Sequence, residues 1–477
     1  ALYGAFCELK VAFDPEGLFN PGKIVHARPL TDNLRFGAGY ETRKVDTAFD
    51  FADYGGMARA AEQCGGIGAC RKRLSGTMCP SYMATRDEVD STRARANALR
   101  LAIAGKLGPA GLADPALVPV LDLCLECKAC QSECPTGVDM ARLKAEFLHQ
   151  THLARGASPR ARFLANAEKI AKWGTRLAPI SNWLAQSAAA RWLAERLLGL
   201  DRRRAPPRFA RESFQQWWNA RRRLDAADGT AQLQPGAVRA GEQPGAALFI
   251  DTFSNFYEPE ILAATVSLAK RWGCSLTVLP RVCCGRPLIS KGFLDEARKN
   301  AEAVTRALGP AAQAGLSIVF CEPSCFSAVR DDHPHLLRGE LQRQARAVAE
   351  KCVTFEEWAM QATSSTEVRA GPSNILLHAH CHQKALVGSA AAAKLFSKIP
   401  GCAVTDLDSG CCGMAGSFGY EQEHYEISRA VGERRLLPAV RDRPEGALVV
   451  APGFSCRHQI AHFTGVSAVH PAVLLAR

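Results

Sequence analysis

Residues 124–135 read CLECKACQSECP, and residues 64–80 read CGGIGACRKRLSGTMCP. In the first stretch cysteine recurs at every third position, Cys124, Cys127 and Cys130, and Cys134 then stands before a proline. In the second, Cys64, Cys70 and Cys79-Pro80 repeat that outline, but Ile67 takes the middle place. Three corners of an iron–sulfur cube need three thiolates from one tight loop. Zinc pairs use four ligands and no trailing proline. Seven cysteines in this interleaved order point to iron and sulfide.

The spacing matches the C-x2-C-x2-C-x3-C-P run of two-cluster bacterial ferredoxins, whose fourth cysteine serves the other cluster. The resemblance implies one [4Fe–4S] cluster on Cys79, Cys124, Cys127 and Cys130, and a second on Cys64, Cys70 and Cys134. Ile67 leaves the second a thiolate short. This resembles the iron–sulfur subunits of succinate dehydrogenase and fumarate reductase, where an apolar residue here accompanies a [3Fe–4S] cluster. A four-iron cluster completed by water or another side chain fits the same residues.

A chain of 477 residues has room for two to four domains, and 47% hydrophobic residues exclude global disorder. No apolar run reaches the length of a membrane-spanning helix, and no secretory signal stands at the start. The chain opens at Ala1 within what reads as an ongoing domain, so it is expected to be the distal part of a longer protein. Nineteen cysteines, clustered in short motifs, favour metal binding in a reducing compartment. The expected place is the cytoplasm, at most peripheral to the inner membrane.

The net charge of +12 sits in one segment. Between Arg155 and Arg223 there are 16 Lys and Arg against 4 Asp and Glu, and five of the seven tryptophans. One reading is a set of solvated helices wrapping the outside. The other is a peripheral contact with anionic lipid heads, because clustered basic residues and tryptophan both favour the membrane interface. Nucleic acid is not expected as a partner, since no recognised motif accompanies the charge.

Residues 1–30 hold an amphipathic run closed by the turn Asn20-Pro21-Gly22. They resemble the end of the FAD-linked oxidase domain of D-lactate dehydrogenases and glycolate oxidases. Residues 57–152 carry both cysteine arrays. Between them Asp87–Lys106 reads as a helix with Leu99, Ile103 and Leu107 on one side and Arg93, Arg95 and Arg100 elsewhere. Residues 153–245 form the basic linker, helical over Phe163–Leu200 with a break at Pro179, then a Gly/Pro/Gln-rich stretch at 229–245.

Residues 246–365 and 372–477 read as an internal repeat. Short buried strands (ALFIDTF, LTVLP, LSIVF, then NILLHAH and ALVVAPG) alternate with alanine-rich helical stretches at 260–272, 292–308, 385–396 and 421–436. That alternation predicts α/β units with parallel strands. The expected architecture is multidomain, α plus α/β: a helical two-cluster unit followed by two α/β domains.

Each α/β unit carries Cys-Cys-Gly, at Cys283-Cys284 and Cys411-Cys412, and a later cysteine, Cys325 or Cys456. The second also has Cys381, 30 residues before Cys411; the same offset before Cys283 falls on Phe253. Adjacent cysteines can present two thiolates to one metal centre, and the glycine lets backbone approach. These units resemble the cysteine-rich CCG domains found in heterodisulfide reductase and in the iron–sulfur component of glycolate oxidase. The resemblance implies a cluster on Cys381, Cys411, Cys412 and Cys456. The first unit offers only Cys283, Cys284 and Cys325, plus off-pattern Cys321. His378, His380 and His382 flank Cys381 and either orient it, receive protons or are structural.

Oxidase tail, two-cluster unit and paired CCG domains occur in this order in fused FAD and iron–sulfur oxidoreductases of the D-lactate, glycolate and D-2-hydroxyglutarate dehydrogenase types. The resemblance implies 4Fe-4S clusters, one of them possible as 3Fe-4S, and FAD on an upstream domain absent here. It implies a flavin domain as partner and quinone or another electron acceptor. The organic step belongs to the flavin, and this chain reads as the electron-transfer arm. Two alternatives stand beside it: a heterodisulfide-reductase-like thiol/disulfide enzyme, and a non-enzymatic cysteine-rich metal-binding protein.

Overall fold

A computed structural model describes every residue except 35, 38, 228–244 and 364–370. The Gly/Pro/Gln-rich break at 229–245 therefore falls, but for its last residue, outside the described residues, as does the expected boundary at 365. Helix α1 (Leu2–Phe13) buries none of its side chains and leaves Leu2, Tyr3, Phe6, Leu9, Val11 and Phe13 exposed.

Short helices and turns build the unit that carries the two arrays. Helix α2 (Thr92–Ile103) starts where Ser91 accepts a hydrogen bond from the Ala94 amide at 3.1 Å. It is shorter than the expected Asp87–Lys106 because a 3₁₀ turn, Glu88–Asp90, precedes it. Arg95 is not on a solvent face. It is fully buried with Leu99, Ala102 and Ile103. Helix α3 (Ala129–Glu133) follows the loop of Cys124 and Cys127.

Helix α4 (Met140–Arg155) is buried along its first half, and its charged side chains tie distant segments together. Glu146 accepts the amides of Ala48 (3.1 Å) and Phe49 (2.9 Å), and Lys144 donates to the Cys124 carbonyl at 2.7 Å. Buried charge is tolerated here because each head has partners.

The basic linker is helical, as expected, and breaks at Pro179. Its helices are Pro159–Ala165, α5 (Ala167–Arg176), α6 (Ile180–Gln186) and α7 (Ala188–Leu198). Neither α6 nor α7 buries a single residue. The later helix Phe214–Ala227 differs, for Phe214 and Trp218 lie in the core.

The remainder holds two parallel sheets. The first, β1 (Ala246–Leu248), β2 (Leu276–Val278), β3 (Ser317–Phe320) and β4 (Cys352–Thr354), runs in the order β2-β1-β3-β4. The second, β5 (Asn374–Leu377), β6 (Ala403–Asp406) and β7 (Leu448–Val450), runs β6-β5-β7. A parallel bridge from Val450 to Val469 stands where the first sheet has β4. The two units thus share one topology, and helices on both faces explain why β1 is buried along its whole length.

Cores cross the unit boundaries. One joins Phe49, Leu99, Leu143 and Phe147 of the cysteine-array unit to Ala247, Phe249, Phe320 and Val329 of the first α/β unit. Another joins the two sheets through Leu248, Val319, Ile375, Leu377 and Val450, roofed by Phe355, Trp358 and Leu474. Each such side chain contributes about 1.5–3 kcal/mol on burial, so the units are held in fixed relation.

Candidate metal centres

Glu126 and Lys128, in the loop between Cys124 and Cys130, both take left-handed backbone (φ 50° and 59°). L-residues adopt that conformation only where their surroundings hold them. Lys128 is 1% exposed; its Nζ donates to Asp332 at 2.6 Å and also to Asp331. Burial works against its charge, but the two aspartates outweigh burial and keep it an ammonium. Glu126 accepts from Arg286 Nη2 at 2.8 Å, and Arg286 Nη1 reaches Asp332 at 2.9 Å. The loop is pinned to the first α/β unit by charge.

Cys79, Cys124, Cys127 and Cys130 are all buried and act on one another electrostatically. Burial first, and then neighbouring thiolates, push Cys127 and Cys130 well above the usual thiol range. Cys79 goes the other way. Burial raises it, but Arg95, with Nη1 at 3.2 Å from its Sγ, pulls it down. Crowded buried thiols beside an internal cation suit an anionic thiolate-held centre, since metal ligation relieves the repulsion. Sequence reasoning set Arg95 apart from the core, although it sits four residues before Leu99 on the same helical stripe.

Cys64, Cys70 and Cys134 line a separate cavity of about 20 Å³, together with Ile67. Ile67 is 67% exposed. The gap in the array faces water.

Four helices carry Cys325, Cys381, Cys456 or the position that matches them, while the Cys-Cys-Gly pairs lie in loops. The helices are α8 (Thr252–Phe256) and α9 (Pro323–Ser327) in the first unit, and α10 (Cys381–Leu386) and α11 (Phe454–Thr464) in the second. Cys381 opens α10, with His380 capping it; Cys456 lies in the first turn of α11. Cys411 and Cys412 precede Gly413, whose φ is 92° and where a Cβ would meet the Ser428 carbonyl at 2.2 Å. No other residue fits there. The amides of Gly413 and Met414 point at the sulfurs of Cys411 (3.4 Å) and Cys412 (3.5 Å). A ring nitrogen of His378 and the sulfurs of Cys412 and Cys456 lie within 4.8 Å of one another. His378 Nδ1 bonds Ser409 Oγ at 2.7 Å, while its buried Nε2 has no hydrogen-bond partner. That orphaned atom and four clustered thiols fit a metal centre.

The first unit copies this frame with different chemistry. The Phe249 and His378 amides make the same sheet bond, to Val319 and Val450, and Leu279 and Leu407 likewise bond Leu248 and Leu377. On that register the counterpart of Cys381 is Thr252, the first residue of α8, not Phe253; one extra residue before Cys283 shifts the count. Thr252 Oγ1 lies 3.7 Å from Cys283 Sγ, and Cys284 and Cys325 sulfurs are 3.0 Å apart. Cys321 stands away from them, with its sulfur at 3.4 Å from Thr265 Oγ1. Asp251 takes the place of His380 as helix cap, and its buried Oδ2 has no partner. Burial, then Glu322, pushes the Asp251 carboxyl up to about 7.

The two-array unit meets the second α/β unit directly. After burial, the charges of Cys381 and Cys411 contribute most to raising Cys127, and α3 packs on α10. His382 is fixed in this seam by Ser327 Oγ (2.7 Å) and the Glu126 carbonyl (3.0 Å), which gives it a structural role. Above Cys381, Cys411 and Cys412 opens a cavity of about 270 Å³. Phe163 and Ile170 of the linker, Phe253, Tyr257, Tyr420 and Phe454 give it an apolar lining, and His458 stands in its wall. Burial holds His458 below the usual imidazole range, and hence neutral. His458 follows Cys456 by two residues, the only hint of it in the sequence.

Residues 60–139 match the family described as "4Fe-4S dicluster domain", and residues 375–461 the family "Cysteine-rich domain". The chain is 25% identical to D-2-hydroxyglutarate dehydrogenase of Escherichia coli over 99% of its own length and 49% of that protein. It is 28% identical to a component of the anaerobic glycerol-3-phosphate dehydrogenase of Escherichia coli, over 66% of this chain and 76% of that one. Against lactate utilization protein A of an Exiguobacterium species it is 32% identical, over 39% of this chain and 77% of that one. The chain belongs to this family of iron–sulfur oxidoreductases. It spans about half the length of the D-2-hydroxyglutarate dehydrogenases it matches.

Proposed function

We propose that the chain is the electron-transfer arm of a flavin-dependent D-2-hydroxy acid dehydrogenase. Electrons taken from the hydroxy acid at FAD, held by another domain, would travel singly through cysteine-held iron–sulfur centres to quinone or another acceptor. The observation that carries the reading is the seam where α3 packs on α10 and His382 meets the Glu126 carbonyl at 3.0 Å, because it joins the dicluster loop to the second cysteine-rich set without an intervening domain. Exposed α1 supports a docked flavin domain, since its apolar side chains have no cover. The proposed ligands are Cys79, Cys124, Cys127 and Cys130; Cys64, Cys70 and Cys134; and Cys381, Cys411, Cys412 and Cys456.

What the remaining residues do follows from their partners. Arg95 balances thiolate charge at Cys79, the Lys128 network fixes the loop, and the Gly413 and Met414 amides steady Cys411 and Cys412. His458, neutral in the cavity wall, is placed to exchange a proton with an acceptor there. Among the described residues no helix is long and apolar enough to cross a membrane, and a peripheral place at a membrane's inner face belongs to the same reading.

The test is anaerobic purification followed by metal analysis and reduction. Iron and acid-labile sulfide should dominate, and a 2-hydroxy acid should reduce the centres only when the flavin domain is supplied. Zinc in place of iron would sink the reading, as would turnover of a hydroxy acid by this chain alone. The cavity over Cys381, Cys411 and Cys412 favours a second reading, thiol/disulfide chemistry at that set. It predicts that the reduced chain consumes an organic disulfide.

A further inference from the structure

The linker presents a face the fold does not use. On α5, Lys169, Lys172, Trp173 and Arg176 are exposed at the i, i+3, i+4, i+7 spacing of one helical side, and Leu177 and Ile180 continue it. Trp183 (75% exposed) and Leu184 follow on α6; Trp192, Leu193, Arg196 and Leu197 follow on α7. Three of the four acids of this segment are already taken, Glu168 by Arg281, Glu195 by Arg202 and Asp201 by Arg203, and the fourth, Glu212, lies beyond these helices. Lys169, Lys172, Arg176 and Arg196 have no carboxylate partner among the described residues. The three helices pack as neighbours and Arg176 lies over the Trp173 ring at 5.5 Å. Exposed apolar rings and cations with no carboxylate partner among the described residues therefore occur together on them, which is not a neutral surface.

We propose that α5–α7 form a monotopic docking face for an anionic lipid bilayer, with Trp173, Trp183 and Trp192 seated at headgroup depth and Lys169, Lys172, Arg176 and Arg196 on the lipid phosphates. Helices that lie in the interface carry this pairing of a tryptophan- and leucine-rich side with a lysine- and arginine-rich rim. A second copy of the chain is a poor occupant, because a two-fold contact would set this positive face against itself. A protein partner suits α1 better, where the exposed apolar residues lack such a rim. Helix α5 also turns Ile170 into the cavity above Cys381, so the docked face and that cavity share a wall. The inference rests on the peripheral placement proposed above and not on the electron-transfer role.

The full chain with its metal is floated with vesicles of phosphatidylcholine alone and of phosphatidylcholine mixed with phosphatidylglycerol. Binding to the anionic vesicles, weakened by salt, is expected. The triple variant W173A/W183A/W192A and the reversal K169E/K172E/R176E should each bind at least about tenfold more weakly with unchanged iron content. F6A/F13A in α1 should bind like wild type. Equal binding to neutral vesicles, or variants that bind like wild type, would overturn the proposal. So would a wild-type dimer in light scattering that the tryptophan variant splits into monomers. A chain that fails to float while its centres still accept electrons removes the docking face and leaves the electron-transfer reading standing.

Discussion

The two α/β units share a sheet order and a sheet-to-loop register, yet they differ in the thiol count and in the side chains at the matching positions. The second offers four thiols with buried imidazoles nearby: His378 and His382, both held well below their usual range by burial and so uncharged. The first offers three thiols, a threonine hydroxyl and the buried acid Asp251, with His333 bonded to the Cys284 carbonyl at 2.8 Å, and has Phe249 where the second has His378. Glu322 lies between the sets and accepts the Phe454 amide at 2.8 Å. A thiolate-held cluster carries net negative charge. An imidazole such as His380 at the helix cap tolerates it, whereas a carboxyl in a dry site, such as that of Asp251, repels it or must keep its proton. Duplication preserved the frame, and the side chains at four or five positions decide whether it can hold a centre.

The sharpest break of this comparison is removal of one thiol from each side. Cys412→Ser should lose a whole centre, about four irons per chain, whereas Cys284→Ser should leave the iron count unchanged. Equal losses would show that both units are loaded. The converse gain is smaller. Thr252→Cys completes four thiols in the first unit and, joined with Asp251→His, should add iron and a new paramagnetic signal on reduction. If the double variant binds no extra iron, geometry rather than ligand chemistry separates the units.

A third test moves to the other place where a thiolate is missing. Ile67 leaves a solvent-facing gap, unlike the buried one at Thr252. Ile67→Cys should abolish a three-iron signal near g of about 2 and raise iron by about one per chain. Spectra identical to wild type would mean that Ile67 does not face the centre.

The smallest effect concerns pH. The folded Asp251 carboxyl, at about 7, binds its proton more tightly than the unfolded one near 3.8. Stability is therefore fully present below about pH 4, falls as pH rises through the interval to 7, and stays low above it. Asp251→Asn keeps the cap and removes the penalty, so its urea midpoint should match wild type near pH 4 and exceed it at pH 8. The shift corresponds to on the order of 4 kcal/mol. A variant less stable than wild type at pH 8 would show that Asp251 is ionised and partnered there.

Much of this was legible in the residues. Cysteine spacing announced the paired arrays, because ligand geometry constrains local sequence. The strand and helix alternation announced the α/β repeat, since burial on both faces demands apolar runs. Counting back from Cys-Cys-Gly, however, reached Phe253, and only sheet register moved the place to Thr252. Arg95, His458 and the Lys128 network stayed hidden because their meaning depends on partners far along the chain. The five linker tryptophans read alike in sequence, but Trp218 is core while Trp173, Trp183 and Trp192 are bare.

Lys128 and Asp332 are 204 residues apart. At a synthesis rate of about 5–20 residues per second, the lysine waits on the order of 10–40 s for its counter-ion. Until then the Cys124–Cys130 loop lacks the two ion pairs through which Lys128 fixes it to the first α/β unit. Loading of that loop on the ribosome should therefore lag the appearance of its cysteines, and a nascent chain stalled before Asp331 should expose them to thiol-labelling reagents that the finished protein excludes.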